Sequence, residues 1–286
     1  MSSRSWARVG AVAVAVGFAA ATATPSLAAL SGAASTSEAL PVVDMEATVK
    51  AAQIDPRRAD HTLTAGARAS VLAVEQALQA TQQLDARWVD GYFGSETVKA
   101  YAGFQRSLGA TGIGANGLPS AGSLTTLGRN RFAVRHRIAA GARVHRDGFV
   151  IDARTLSMLR EAERRLSRSL VLEQGSYNPG GDPTSAGTHD GGGVIDVSVQ
   201  GMTVSTRTAV VRALRQVGFA AWLRNPSQGN WPWHIHAAAI SDPELSSQAQ
   251  HQVGDYYLGR NGLASRAPDD GPRVPIQTWE EYQRGR

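Results

Sequence analysis

Two short segments of this 286-residue chain concentrate side chains that can bind a metal ion. The first, at 185–196, places His189 in a glycine-rich stretch seven residues before Asp196. Asp196 lies in an apolar run between Ile195 and Val197, so burying its carboxylate would be costly unless it were paired or bound to a cation. The glycines allow the backbone to fold back until both side chains reach one ion.

The second segment is the sequence WPWHIH at 231–236. Histidines at positions i and i+2 of a strand point to the same face of a sheet. The two segments together offer His189, Asp196 and one or both of His234 and His236. Two histidines and a carboxylate, with a position open for water, form a catalytic zinc site, in which zinc lowers the pKa of that water towards about 7. The alternative is that the histidines are core residues and that Asp196 caps an element or pairs with an arginine.

The composition excludes several other kinds of site. There is no cysteine, which rules out disulfide scaffolds, cysteine-ligated zinc, iron–sulfur clusters and thiol catalysis. Hydrophobic residues make up 42% of the chain and charged residues 19%, which is an ordinary globular mixture. The formal net charge of +5 is modest and unpatterned, and there is no phosphate loop or dinucleotide fingerprint. We therefore expect no nucleic-acid partner.

The elements that must position these side chains are predicted to form an α+β domain at 134–263, with a zinc site on an antiparallel sheet. Asp152 can cap a helix at the start of this domain. Apolar periodicity then predicts a strand at 170–174, a strand at 194–197, a helix at 205–217, strands at 219–223 and 234–240, and a helix at 243–258.

Upstream, residues 63–128 are predicted to form a small all-α domain of three helices. Apolar side chains repeat at i, i+3 and i+7 on the first two helices, at Val71, Val74 and Leu78 and again at Tyr101, Phe104 and Leu108. A tight turn at 90–94 joins these helices, Ser95 can N-cap the second, and Ser120 can cap a short third helix. About 65 residues can just bury a core of their own.

The remaining segments carry little periodicity. Residues 1–28 are predicted to be a secretory signal peptide, since a basic start and an uncharged stretch rich in Ala and Val precede small residues at the cleavage site. The apolar run is short for a membrane helix, so we expect no membrane anchor. Residues 29–62 are predicted to be a flexible linker with a short helix at 45–54, and residues 264–286 a C-terminal tail. We expect a monomer.

The spacing His-x6-Asp from His189 to Asp196, followed by a strand histidine at 236, resembles the zinc peptidases of the D-alanyl-D-alanine carboxypeptidase and dipeptidase group. That group shares a fold with the hedgehog signalling domain, and the resemblance covers about residues 150–245. It implies His189, Asp196 and His236 as the three zinc ligands. A Glu or Asp three residues before the last ligand is the general base in that group, whereas Trp233 stands there in this chain. Some relatives place a histidine two residues before the last ligand, which implies His234 as the catalytic residue.

The same resemblance implies a substrate-binding region around Tyr177 and Ser185. Members of the group often hold the substrate carboxylate with an Arg directly after a Tyr, whereas Asn178 follows Tyr177 here. The usual serine lies two residues before the first ligand, and Ser185 lies four residues before His189. Glu173, on the preceding strand, is a second candidate for the base.

The sequence VDGYFG at 89–94, followed by Thr97, Ala102 and FQR at 104–106, resembles the peptidoglycan-binding domain of three short helices. The resemblance implies peptidoglycan as a partner. Aromatic faces stack on sugars, so Tyr92 is the candidate contact. The alternative is that these residues only form a turn and that Tyr92 belongs to the core.

These expectations combine into a secreted, cell-wall-associated zinc peptidase with Zn²⁺ as its cofactor. It would hydrolyse an amide bond in peptidoglycan stem peptides, as a D-Ala-D-Ala carboxypeptidase does, and a peptidoglycan-binding domain would raise its local substrate concentration. A second hypothesis is a non-catalytic peptidoglycan-binding protein with a structural metal. A third is a zinc amidase or an endopeptidase that cuts cross-bridges.

Overall fold

The computed structural model of the chain describes residues 39–285. The predicted signal peptide at 1–28 and the part of the predicted linker up to residue 38 lie outside the described residues. Helices and strands mix along the described part, which confirms the α+β class. The helices are α1 (Met45–Ile54), α2 (Arg68–Ala80), α3 (Ser95–Ser107), α4 (Ala121–Leu127), α5 (Ala153–Leu166), α6 (Val204–Gln216), α7 (Ser247–Tyr257) and α8 (Trp279–Arg284). The strands are β1 (Val42–Asp44), β2 (Ala133–Arg135), β3 (Arg143–Arg146), β4 (Phe149–Asp152), β5 (Leu172–Gln174), β6 (Val194–Ser198), β7 (Phe219–Arg224) and β8 (His234–Ala239).

Most of the predicted elements are present close to their predicted limits. Ser120 caps α4 with a capping box, and Asp152 caps α5 by accepting the backbone N–H of Thr155. The prediction of Ser95 as an N-cap is wrong by one residue, because Gly94 is the N-cap of α3, without a side-chain hydrogen bond, and Ser95 is the first residue of the helix. None of the helices between residues 39 and 285 is both long and apolar enough to cross a membrane.

The central sheet has four strands in the order β5-β6-β8-β7, with antiparallel pairing throughout. Asp196 of β6 is paired with His236 of β8, and His236 is paired with Trp222 of β7. Residues paired directly across antiparallel strands lie on one face of a sheet. Two residues away along the strands, Arg224 is paired with His234 on that same face. We call it the site face.

Alternation along the strands divides the apolar core into two layers. On the site face, Val194, Trp222 and Ala238 pack in one cluster with buried residues of α1–α4 and α7. On the opposite face, residues such as Ile195 and Ala237 pack against α5 and α6. The strands are therefore buried on both sides. The site face is covered by α1–α4, which precede the sheet in sequence, and by α7, which follows it.

The helices predicted at 63–128 and the α+β region predicted at 134–263 do not form separate bodies. All the described residues fall in one compact unit, and one apolar cluster joins α1–α4 to the sheet. Asn116, before α4, donates from Nδ2 to the backbone carbonyls of Pro243 and Leu245. Helical periodicity shows that a face is apolar but not which surface will cover it.

The predicted flexible linker at 29–62 is ordered from residue 39 onward. It contains β1 and α1, so the short helix predicted there is confirmed. A Cβ atom at Gly254 of α7 would lie 2.2 Å from the carbonyl oxygen of Gln53, so α1 and α7 are packed closely. Alanines give the segment a linker-like composition, yet Ala51 and Ala52 are buried because small side chains permit this approach.

The predicted tail at 264–286 is docked on the rest of the protein. Asp269 accepts two hydrogen bonds from Arg215 of α6, and Trp279 of α8 is buried. Arg284 of α8 donates to both carboxylate oxygens of Glu46 on α1, at 2.7 and 2.6 Å. Three prolines interrupt any periodicity here, so composition favours a tail, whereas long-range ion pairs fix the segment in place.

A buried carboxylate holds the turn predicted at 90–94. Glu75 of α2 accepts the backbone N–H groups of Asp90 and Gly91 and the hydroxyl of Thr97. Burial raises the pKa of Glu75 from 4.5 to about 7. The turn is therefore fixed by the buried carboxylate of Glu75, and its conformation does not depend on a bound ligand.

Substituting Gly254 tests whether α1 is an integral part of the fold. We expect Gly254→Ala to lower the free energy of unfolding by about 1–3 kcal/mol, because the added methyl meets a backbone oxygen. Urea denaturation measures this. The control is Gly122→Ala in α4, where a Cβ atom has no neighbour within 4 Å and stability should not fall. Equal effects at both glycines would contradict the packing described.

The pH dependence of stability tests the burial of Glu75. Because its pKa is raised in the folded chain, its contribution is present below about pH 4.5 and is lost as pH rises through about 7. Glu75→Gln keeps an oxygen for the backbone N–H groups and does not titrate. Relative to wild type, the variant should therefore gain roughly 1–3 kcal/mol between about pH 4.5 and pH 8. Glu96→Gln on α3 is the control, and a constant difference across this range would disprove the assignment.

Candidate metal centre

Three side chains from two separate segments of the chain meet on the site face. Nε2 of His189 lies 3.3 Å from Oδ2 of Asp196, and Nδ1 of His236 lies 2.8 Å from Oδ1. One ligand atom from each of the three residues lies within 4.8 Å of the other two, and all three residues are buried. The predicted ligand residues are thus brought together in a cluster that could hold a metal ion.

Strand pairing and a constrained loop bring the cluster together. The β6–β8 register sets Asp196 beside His236, and His189 lies in a 3-10 turn at Thr188–Asp190. The backbone carbonyl of His189 accepts the N–H of Asn178, which fixes the loop. Gly193 has a φ of +73°, and a Cβ atom there would lie 2.9 Å from the Cβ atom of Asp242. Only glycine can therefore occupy this entry into β6 without strain.

The outward-facing ring nitrogens of both histidines are held by oxygen atoms. Nδ1 of His189 lies 2.8 Å from the carbonyl oxygen of Gly175, and Nε2 of His236 lies 2.8 Å from Oε1 of Gln252. These oxygens accept hydrogen bonds, so each outward nitrogen carries a hydrogen. The inward nitrogens then face Asp196, and each contact requires a proton or a cation between the atoms. Metal-binding histidines almost always donate their second N–H to such an oxygen.

The donor set therefore fits a zinc ion: two imidazole nitrogens and one carboxylate oxygen. Burial opposes the ionised form of Asp196, but His189 and His236 outweigh burial and hold its pKa well below the usual range. Burial lowers the pKa of His236, whereas at His189 the effect of burial is outweighed by Asp196 and the pKa is raised. The carboxylate is ionised at neutral pH and is available to a cation.

His234 lies beside the cluster, with Nε2 3.9 Å from Oδ2 of Asp196. Its Nδ1 lies 2.8 Å from the carbonyl oxygen of Pro232, to which it donates, and its Nε2 is the ring nitrogen directed towards Asp196. Trp233, three residues before His236, is 44% exposed, and its ring lies 5.1 Å from the Arg207 guanidinium. Trp233 does not line the cleft that contains the cluster.

That cleft has a volume of about 1060 Å³. The cluster forms part of its wall, together with His234, the loop residues at 228–232 and side chains of α7. Ser185 lines it as well, with its hydroxyl donating to the carbonyl of Asp182. Glu173, the second candidate for the base, is also on the wall. The cleft is large enough for a small peptide.

The two tyrosines predicted to bind substrate do not line this cleft. Tyr177 donates from its hydroxyl to Oε2 of Glu244 at 2.5 Å, and the Arg143 guanidinium lies 3.9 Å from its ring centroid. Its φ of +57° is a conformation that no sequence pattern predicts. Tyr92 donates to the backbone carbonyl of Asp55, so its hydroxyl serves the fold, while its ring is only partly buried.

Two residues at the site were not found by sequence reasoning. Gln252, on α7, is held beside His236 by packing of the helix on the sheet, for which the sequence carries no local signal. Arg224 closes the apolar strand β7 and is only 3% exposed. A charged residue at the end of an apolar strand was the available signal.

No family model, no curated protein and no solved structure matches this chain. The chemistry of the cluster and the shape of its cleft therefore carry the functional argument. The cluster could hold a metal ion, and it lies on the wall of the cleft.

Gln252 should control how tightly zinc binds. We expect Gln252→Ala to weaken Zn²⁺ affinity about 10–100-fold, because the His236 ring loses the oxygen that orients it. Competition with a fluorescent chelator measures the affinity. Gln248→Ala is the control: this exposed residue lies one turn earlier on the same helix and also lines the cleft, but its Oε1 accepts from Ser247 and not from a histidine of the cluster, so zinc affinity should equal that of wild type. Loss of His236 should abolish tight binding, and equal zinc affinity in His236→Ala and wild type would refute the metal site.

Proposed function

We propose that this protein is a secreted, cell-wall-associated zinc peptidase that hydrolyses an amide bond in the stem peptides of peptidoglycan. The supporting observation is the buried cluster of His189, Asp196 and His236 on the wall of a peptide-sized cleft. The resemblance of the same residues to the ligands of D-alanyl-D-alanine carboxypeptidases suggests the substrate. The leader-like sequence at 1–28 supports secretion.

The chain's own residues would prepare the site in three ways. The ligands His189, Asp196 and His236 would hold the ion, and the outer partners Gly175 and Gln252 fix the histidine rings. Burial excludes bulk water from the cluster and strengthens its electrostatic interactions. Zinc bound there would supply Lewis-acid chemistry, polarising the amide carbonyl and making water a better nucleophile at neutral pH.

His234 is the proposed general base and acid. Its Nδ1 hydrogen is directed to Pro232, so Nε2 can accept a proton from the attacking water. The resulting imidazolium can then donate that proton to the amine that leaves. A histidine serves as the base in its neutral form and as the acid in its protonated form, whereas a carboxylate with an ordinary pKa is a weaker base. Its side chain is 11% exposed, so a ligand in the cleft can reach it.

Contact with peptidoglycan would come from the helical segment at 63–128, with Tyr92 as the candidate sugar contact. The helices share a core with the sheet, so the wall-binding surface and the cleft would be held in a fixed relation. Arg57, which precedes these helices, itself lines the cleft. This arrangement would present the cluster to nearby stem peptides without a flexible tether.

A non-catalytic peptidoglycan-binding protein is the second candidate. The observation that favours it is the exposed Trp233 at the position where the resembled peptidases carry an acidic base. Under this hypothesis the metal would only stabilise the fold. An amidase or a cross-bridge endopeptidase would use the same cluster and would differ in its products.

Cleavage of purified muropeptides tests the proposal directly. We expect the zinc-loaded protein to release D-alanine from pentapeptide stems, as detected by mass spectrometry, and chelation to stop the release. His234→Ala should lower kcat about 10²–10⁴-fold because proton transfer is lost, while zinc stays bound. His145→Ala, at an exposed histidine on β3, is the control and should remain active.

Two outcomes would count against this assignment. Wild-type protein that binds zinc tightly, binds sacculi and cleaves no stem peptide would favour the non-catalytic candidate. Full activity in His234→Ala would remove His234 from the mechanism and leave Glu173 as the base to be tested.

A further inference from the structure

Arg224 is a buried cation on the site face with an incomplete set of hydrogen bonds. It lines the cleft, is 3% exposed and is paired in the sheet with His234. Nη1 donates to the carbonyl oxygen of Asn261 at 2.9 Å. Nη2 is buried and has no hydrogen-bond partner among the described residues. A buried guanidinium nitrogen without an acceptor is costly, and a ligand oxygen would satisfy it.

The other buried arginines show how this fold ordinarily satisfies a guanidinium. Arg154 donates to both carboxylate oxygens of Glu280, each at 2.8 Å. Arg215 donates to both oxygens of Asp269, at 2.9 and 2.8 Å. Among the described residues, three arginines are buried, and Arg224 alone has no carboxylate within ion-pair distance.

Of the three acids whose charge raises the pKa of Arg224, two are engaged by other groups, and the third, Asp270, is exposed and forms no ion pair with Arg224. Asp196 is bonded to the histidines of the cluster, and Asp269 to Arg215. Burial lowers the pKa of Arg224 to about 10, so the guanidinium is still cationic at neutral pH. Cζ of Arg224 lies 4.8 Å from the ring centroid of Trp222, and this contact restricts the orientation of the guanidinium. A positive charge is therefore held in place beside the cluster.

The remaining guanidinium groups of the cleft differ from Arg224. Arg57 donates from Nε and Nη2 to the two oxygens of Asp255. Arg266 donates to the same carboxylate and to the backbone carbonyl of Arg57. Both are already paired with Asp255. Arg224 is therefore the guanidinium of the cleft that could bind an incoming anion.

We propose that Arg224 binds the terminal carboxylate of the peptide whose amide bond lies at the His189–Asp196–His236 cluster. This inference rests on the proposed function and deepens it. A guanidinium matches a carboxylate in charge and in its paired hydrogen bonds. Arg224 is two residues along β7 from Trp222, which faces His236, so about 7 Å of strand separates the two positions. That spacing corresponds to about two extended residues, which favours cleavage near a free C-terminus over cleavage within a cross-bridge.

Binding to the metal-free full chain tests Arg224 without any contribution from catalysis or from a carboxylate–metal bond. The probes are acetyl-D-Ala-D-Ala with a free carboxylate and the same peptide with a C-terminal amide, titrated calorimetrically. We expect wild type to bind the free acid at least 10-fold more tightly than the amide. Arg224→Gln should abolish this preference, and Arg224→Lys should retain part of it, since charge is kept and the planar fork is lost. Arg266→Gln, at a paired arginine of the same cleft, should keep the preference.

The outcomes separate this inference from the proposed function. If Arg224→Gln loses the preference but zinc-loaded wild type hydrolyses neither peptide, Arg224 is the anion site and the peptidase proposal fails. If loaded wild type hydrolyses both peptides equally and Arg224→Gln changes neither rate, the peptidase proposal holds and Arg224 is not the anion site. Circular dichroism checks folding, and Arg224→Lys gives the deciding measurement if Arg224→Gln does not fold. Equal binding of acid and amide by wild type would overturn the inference outright.

Discussion

An ionised carboxylate in the interior of an apolar sheet is the constraint on which this structure depends. Asp196 lies between Ile195 and Val197, where desolvation alone would drive it to its neutral form. Its two histidine neighbours reverse that preference, and both are in turn fixed by oxygens, one from the loop before β6 and one from α7. Strand register, the glycine-rich loop and the docking of α7 can therefore be understood as parts of one solution to burying a charge.

The parts of this site that follow from local rules could be predicted from the sequence. A strand period of two places His234 and His236 on one face, and a buried aspartate in an apolar run calls for a positive partner. Helix caps such as Ser120 and Asp152 are equally local and are observed. The fold class follows from the same patterns, because each element is specified within about ten residues.

The parts that depend on packing between distant segments could not be predicted. Gln252 approaches His236 only because α7 lies across the sheet, and nothing near either residue in sequence encodes that contact. The predicted linker contains α1, whose small side chains are typical both of flexible segments and of close helix contacts. Arg224 could have been singled out as a charge ending an apolar strand, but its missing acceptor is visible only when all its neighbours are in place.

The ion pair between Glu46 and Arg284 spans 238 residues of sequence and closes α8 onto α1. Helices near the two ends of the described chain are thus in direct contact. During synthesis the chain contains its early helix α1 long before its late helix α8, and loop closure over such a span is slow. Part of the apolar face of α1 therefore stays uncovered until the elements that pack on it have been synthesised. An apolar face that stays uncovered until the late elements are made is thus a consequence of the chain's connectivity, independent of what the protein binds or cleaves.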